Sequence, residues 1–359
     1  MKRKILLAFC IGWLAACSTS PFALSRSDTA IQLTPSPVPS TTPVPWVSLG
    51  LNGRLIFTRG NTDGVAALNL ASGALTTLFQ PPPENWALNE SAVSPDQQHL
   101  VISYAPPFDP TQMQFGNTSL YRLSLDGTAP PERLIDLTDP HESYSMPTWS
   151  PDGRYLYYVH SMPVYNAEGQ PSATRYWLER RAYPDGHPER ILENALSPRL
   201  SPDGSKLVYL PAFPWEDRNE LYLANADGTD VRPLLTDSPF LGVDMPLFSP
   251  DGQTIFFNAG IQHAAAENGL TWVDQLFGVQ IVYAHPDASD WWQISLTGDA
   301  IKAVTENDFS TASMPGTFSP DGQQLAFTTS QALYLVNSDG SDLISLLDLK
   351  GVGTIDWIR

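Results

Sequence analysis

Ser150-Pro151-Asp152-Gly153-Arg154-Tyr155-Leu156-Tyr157-Tyr158-Val159 is one turn followed by one strand. Proline presets φ, aspartate bonds the local backbone and glycine accepts φ > 0, so the first four residues read as a tight turn. The run from Tyr155 to Val159 is aromatic and branched, as a strand prefers. Pro147-Thr148-Trp149, just before the phrase, is a second strand signal.

The same phrase stands at Ser94-Pro95-Asp96-Gln97, Ser201-Pro202-Asp203-Gly204, Ser249-Pro250-Asp251-Gly252 and Ser319-Pro320-Asp321-Gly322, at intervals of 56, 51, 48 and 70 residues. Repeats of about 40–50 residues with loop insertions build propeller blades. Apolar runs follow each copy, as in Leu207-Val208-Tyr209, Ile255-Phe256-Phe257 and Leu325-Ala326-Phe327. A third strand follows in runs such as Leu221-Tyr222-Leu223-Ala224 and Leu333-Tyr334-Leu335-Val336. Asp126-Gly127, Asp185-Gly186, Asp227-Gly228 and Asp339-Gly340 then read as hairpin turns into a fourth. Four antiparallel strands make one blade. Residues 53–79 carry strands two to four of a further blade with no first strand. Thr354-Ile355-Asp356-Trp357-Ile358 is a first strand with no phrase after it. The expectation is an all-β, six-bladed β-propeller, its ring closed by the C-terminal strand joining the N-terminal blade.

The Ser-Pro-Asp-Gly phrase, the aromatic before it and Leu-Tyr followed by Asp-Gly resemble the TolB-like family of WD-type propellers. The resemblance covers about residues 50–359. It implies the fold and leaves function open, because function lives in sites grafted on folds. Gln97 replaces glycine in the first phrase, and Thr297-Gly298 replaces the last Asp-Gly of the long fifth blade.

Residues 1–16 read as a leader, with Lys2, Arg3 and Lys4 ahead of an apolar run from Ile5 to Leu14. Leu14-Ala15-Ala16-Cys17 resembles the bacterial lipobox. By that resemblance Cys17 is the lipidated first residue and anchors the chain to a membrane. Residues 17–46 contain Thr34-Pro35-Ser36-Pro37-Val38-Pro39-Ser40-Thr41-Thr42-Pro43-Val44-Pro45, an extended tether. Its reach is at most roughly 90 Å. Residues 47–359 are then the propeller. The only other cysteine, Cys10, falls in the leader, so neither a disulfide nor a thiolate site is expected.

The net charge is −18, which argues against a role on nucleic acid. Turns after strands one and three are short and share one face; loops after strands two and four share the other and vary. The long ones are residues 105–118, 160–175, 211–219 and 259–290. Trp86, His141, Tyr144, His160, Trp215, His263, Trp272 and His285 gather on that side as a candidate binding face. The insertion in blade 5, with Thr271 to Phe277 as a short helix or hairpin, is expected to cap the channel mouth.

No Gly-x-Ser-x-Gly elbow, His-Glu-x-x-His, P-loop or dinucleotide fingerprint occurs. Met146-Pro147, Met245-Pro246 and Met314-Pro315 open three first strands and read as packing at the channel mouth. Neither metal nor cofactor is expected. The functional expectation is a monomeric, lipid-anchored, extracytoplasmic propeller of the cell envelope. It would act as a non-catalytic protein-binding or scaffold module through its long-loop face, with an envelope protein as partner. A carbohydrate or small-solute binder, or a channel-mouth enzyme resembling lactonases or lyases, is the alternative.

Overall fold

The computed structural model describes residues 46–59, 63–83, 87–107, 117–212, 219–236, 240–261, 288–311, 313–349 and 353–359. The chain divides into Met1–Pro37 and a compact unit, Val38–Arg359. The leader, Cys17 and the tether to Pro45 lie outside the described residues, as do Trp86, Trp215, His263, Trp272 and His285. The helix or hairpin expected at 271–277 lies outside them too.

Six sheets of four antiparallel strands form the compact unit. Blade 1 runs Ile355–Ile358, Arg54–Thr58, Val65–Asn69 and Leu75–Phe79 from the channel outward. Blade 2 is Ala87–Val93, His99–Ala105, Ser119–Ser124 and Glu132–Arg133. Blade 3 is Ser143–Trp149, Tyr155–Tyr165, Pro171–Ala182 and Glu189–Glu193. Blade 4 is Ala195–Leu200, Lys206–Pro211, Leu221–Asn225 and Arg232–Leu235. Blade 5 is Phe240–Phe248, Thr254–Ile261, Asp290–Ser295 and Ile301–Ala303. Blade 6 is Gly316–Phe318, Gln324–Thr328, Ala332–Asn337 and Ile344–Asp348. The first strands touch their neighbours around a closed cycle. The C-terminal strand pairs with Arg54–Thr58, Ile56 opposite Asp356, so the ring closes as the sequence predicts.

Second strands are buried on both faces, which explains their unbroken apolar runs. Leu55 and Phe57 pack with Ala326, Leu333 and Leu335 of blade 6. Ile56, between them, packs with Leu100 and Ile102 of blade 2. One strand thus serves two inter-blade cores through its period of two.

The repeated phrase is a complete hydrogen-bonding unit. In blade 3 the Ser150 hydroxyl donates to Asp152 Oδ1 at 2.7 Å and accepts from Tyr155 N at 2.8 Å. Asp152 Oδ1 also accepts from Arg154 N at 3.0 Å. These bonds hold Asp152 down at a pKa of about 2, with the Ser150 hydroxyl the largest influence. The same contacts recur at Ser94, Ser201, Ser249 and Ser319. Gln97 adopts φ 59° in place of glycine, so the turn survives the substitution.

Two expectations are corrected. Residues 160–175 are the end of one long hairpin in blade 3 rather than a loop; Tyr155–Tyr165 and Pro171–Ala182 pair along their length. Asp185-Gly186 is not a tight turn: residues 183–188 connect the strands, and Gly186 has no positive φ.

Candidate functional site

Two places on the described residues gather chemistry. The first is the loop-face end of blade 3. Its hairpin outruns its sheet. On one side the first strand pairs only up to Ser143 with Ser161. On the other the fourth strand reaches only Trp177 with Glu193. Among the described residues, 162–165 and 171–175 therefore pair as strands only with each other, leaving two open backbone edges, while the Tyr176 carbonyl accepts from Asn194 N at 2.7 Å. Beside them the exposed Tyr165 hydroxyl donates to both Asp139 carboxylate oxygens, at 2.8 and 2.9 Å. The exposed ring of His141 meets Tyr165 edge-on at 6.4 Å.

Beneath this surface lies a buried ionisable cluster. His160 Nε2 is 2.7 Å from Glu142 Oε1, and its Nδ1 is 3.0 Å from Glu179 Oε1. The Tyr144 ring stacks on His160 at 4.3 Å, and its hydroxyl donates to Glu142. Glu142 Oε2 accepts from Thr138 N at 2.6 Å and from the Thr138 hydroxyl at 3.0 Å. These donors, with Tyr144 and His160, outweigh desolvation, the largest single influence, and hold Glu142 below the usual carboxylate range. Arg190 reaches Glu179 at 3.4 Å. Tyr144 and His160 are thus interior residues below the face, each only 6% exposed, because strand alternation turns both inward. His141 alone of the described candidates is on the surface. Glu142 and Glu179 escape a reading by motif; Glu179 stands as an inward glutamate within the strand Pro171–Ala182, and Glu142 stands one residue before the strand Ser143–Trp149.

The second place is the channel. The first strands of blades 2 to 5 each carry a bulge, between Leu88 and Ser91, Ser145 and Thr148, Leu196 and Arg199, and Leu241 and Leu247. Met146, Ser197 and Met245, four residues before each phrase's serine, have φ of 52°, 48° and 47°. Bulges with strained backbone re-aim side chains. The three thioethers do not form one ring: Met146 packs with the core of blades 4 and 5, while Met245 and Met314 both pack with the cluster of Trp291 and Phe327.

Asp356, Asp244 and Glu90 each attract Arg199 electrostatically. Arg199 and Asp356 sit at the same strand step, opposite Val208 and Ile56, on blades 4 and 1 across the ring. Glu90 and Asp244 come from the opposed blades 2 and 5, at earlier steps nearer the loop face. Burial pushes Asp356 up to about 6, against the Val93 N–H donated at 3.0 Å and the attraction of Arg199. Burial likewise raises Glu90 and lowers Arg199. Among the described residues no group of three His, Cys, Asp or Glu side chains is poised to hold a metal ion.

A groove of about 710 Å³ lies between the turns of blades 3 and 4 on the opposite face. Its acids, Asp152, Asp203 and Asp227, are engaged in their own turns. Arg180 there bonds Glu189 at 2.8 Å and covers Tyr155 at 5.0 Å.

No family model matches the chain. The uncharacterized peptidase YuxL of Bacillus subtilis (strain 168) is 32% identical over 132 residues, which is 36% of this chain and 18% of that protein. Among solved structures, TolB from Acinetobacter baumannii superposes with a TM-score of 0.58 at 16% identity, over 85% of this chain and 66% of that one. A TolB-type protein from Agrobacterium tumefaciens gives 0.53 at 19% identity, over 86% and 98%. An oligogalacturonate lyase in complex with manganese gives 0.50 at 13% identity, over 79% and 70%. These identities establish the TolB-like six-bladed fold and nothing about activity.

Proposed function

We propose that this chain is a non-catalytic binding propeller of the cell envelope, held to a membrane through Cys17, that engages a protein partner through its loop face. The observation that carries this reading is the blade 3 hairpin, whose outer part leaves both backbone edges open, among the described residues, at Met162–Tyr165 and Pro171–Arg175. Open edges recruit extended segments of other chains. On the opposite face the serine and aspartate side chains of the repeated turns are engaged within those turns. The anchor and extracytoplasmic setting rest on the lipobox resemblance at Leu14 to Cys17 and on the TolB-like fold.

A photo-crosslinking residue in place of exposed Thr174, in cells, tests this against the same residue at exposed Gln323 on the turn face. A cross-linked species of one defined mass is expected from Thr174 and not from Gln323. A companion protein replaces residues 163–174 by Asn-Gly, closing the hairpin where Met162 faces Arg175. It should lose the partner while melting as the parent does. Cross-links of equal yield from both faces, or from neither, defeat the proposal.

A further inference from the structure

The two open edges of the blade 3 hairpin are unequal. At Asn194, with φ of 56°, the chain leaves the outer edge of Pro171–Ala182. Its N–H makes the last bond on that side among the described residues, 2.7 Å to the Tyr176 carbonyl. In an antiparallel strand the N–H and C=O of one residue point to the same side, and the side alternates along the chain. Thr174, two residues beyond Tyr176, therefore turns both its N–H and its C=O to that outer side, where no described strand pairs with it. Its cross-strand partner Pro163 fills the matching step of the other edge and has no N–H to donate. An added strand finds a donor and an acceptor at Thr174, and no donor at Pro163.

The side chains beside the Thr174 edge are basic, in a chain of net charge −18. Exposed Arg175 stands opposite Met162. Half-exposed Arg190 reaches the same methionine: its Nη2 is 3.2 Å from Met162 Sδ, and its guanidinium lies 4.4 Å from the centre of the Trp177 ring. Cross-strand partners and alternate residues share a face, so both arginines flank one apolar base of Met162 and Trp177. Arg190 Nε is 3.4 Å from Glu179 Oε1, the oxygen that also contacts His160. Arg175 makes no ion pair among the described residues, and Glu193, opposite Trp177, pairs with neither arginine. Charge on an edge discourages pairing between like copies. It also leaves a cation for an incoming strand of opposite sign to match.

We infer that the partner of the loop face docks as an extended acidic segment, added as a strand along Pro171–Arg175. It bonds the outward N–H and C=O of Thr174. A residue of the segment opposite Arg175 falls on the face of Met162 and Trp177, where its carboxylate meets Arg175 and Arg190. Backbone bonds supply affinity and the arginines select the sign of charge. The acidic remainder of the surface repels such a segment elsewhere. This inference rests on the hairpin being the partner site, and it adds which edge is used and what chemistry the edge selects.

Fluorescence anisotropy of the full chain with labelled synthetic peptides, at low salt, tests the inference. The probes alternate threonine with glutamate, with glutamine or with lysine. The glutamate peptide should bind at least about tenfold more tightly than the other two and weaken as salt rises. Arg175→Gln should weaken it about fivefold. Thr174→Pro removes the outward N–H and no bond within the fold, and should weaken it about tenfold. The same peptide methylated on alternate backbone nitrogens should not bind. Melting curves separate lost binding from lost fold; should Thr174→Pro melt below the parent, the methylated peptide on the parent chain decides. No binding of the glutamate peptide up to about 1 mM overturns the inference, as does equal binding of all three. Dimers of the parent that vanish in Thr174→Pro overturn it in favour of a second copy. A Thr174 cross-link in cells without a preference for the glutamate peptide defeats this inference and leaves the partner site standing; no cross-link defeats both.

Discussion

His160 is fixed by carboxylate oxygens on both ring nitrogens, at 2.7 and 3.0 Å, inside a blade that carries the projecting hairpin. Removing the imidazole leaves Glu142 and Glu179 facing one another in the interior. His160→Ala is expected to destabilise the protein by about 2–4 kcal/mol in urea unfolding, because buried carboxylate oxygens lose a hydrogen-bond partner and the packed ring leaves a void. Asp356 makes a pH-dependent contribution of the opposite kind. Its folded pKa of about 6 lies above its ordinary 3.8, so the folded state holds the proton more tightly. Stability is therefore greatest below about pH 4 for this group and falls as pH rises towards 6. At about 1.4 kcal/mol per pH unit the loss is roughly 3 kcal/mol, complete above pH 6. Asp356→Asn should remove that decline, so denaturant midpoints at pH 5 and pH 7.5 should differ less in the variant than in the parent. The acid itself is visible in the sequence as a charge inside a strand pattern. That it faces Arg199, far away along the chain, is not.

At the scale of the element, the phrases do two jobs, of which local chemistry reveals one. Turn chemistry explains the proline, the aspartate and the φ of +74° at Gly322. A Cβ at Gly322 would also stand 2.7 Å from Pro250, the proline of the preceding blade's phrase. The second hairpins follow the same rule. At Gly340 a Cβ would come within 2.5 Å of the Val304 carbonyl, again on the preceding blade, with φ at +94°. At Gly127 the matching approach, to the Leu78 carbonyl, is 3.4 Å. Gly340→Ala should therefore cost roughly 2–3 kcal/mol and Gly127→Ala about 1 kcal/mol, read as melting temperatures of the two variants. An alanine pair of equal cost would mean that the blades give way at these contacts. The bulged first strands are the element that patterning misses: Met146 and Met245 read as packing residues, yet their positive φ belongs to the bulge that opens the channel lining.

For the whole molecule, closure is the decisive event. Four residues, Ile355–Ile358, complete a blade begun some 300 residues earlier in the chain. Their loss bares the edge of Arg54–Thr58 and removes the bond from Val93 to Asp356. A chain ended at Thr354 is expected to lose cooperative unfolding, measured as a broadened urea transition with a lower slope. The repeated Ser-Pro-Asp-Gly phrase, the apolar runs beside it and the split first blade by themselves determined an all-β ring of six blades. They could do so because turn geometry and strand alternation are local properties that each repeat carries in full. The position of the candidate sites was decided by tertiary structure alone. The long hairpin reads as a loop until its two strands are seen to pair beyond their sheet. Tyr144 and His160 read as surface groups until the register turns them onto Glu142 and Glu179. The channel group draws one residue from each of four blades, and no spacing along the chain encodes how opposite members of a ring face each other.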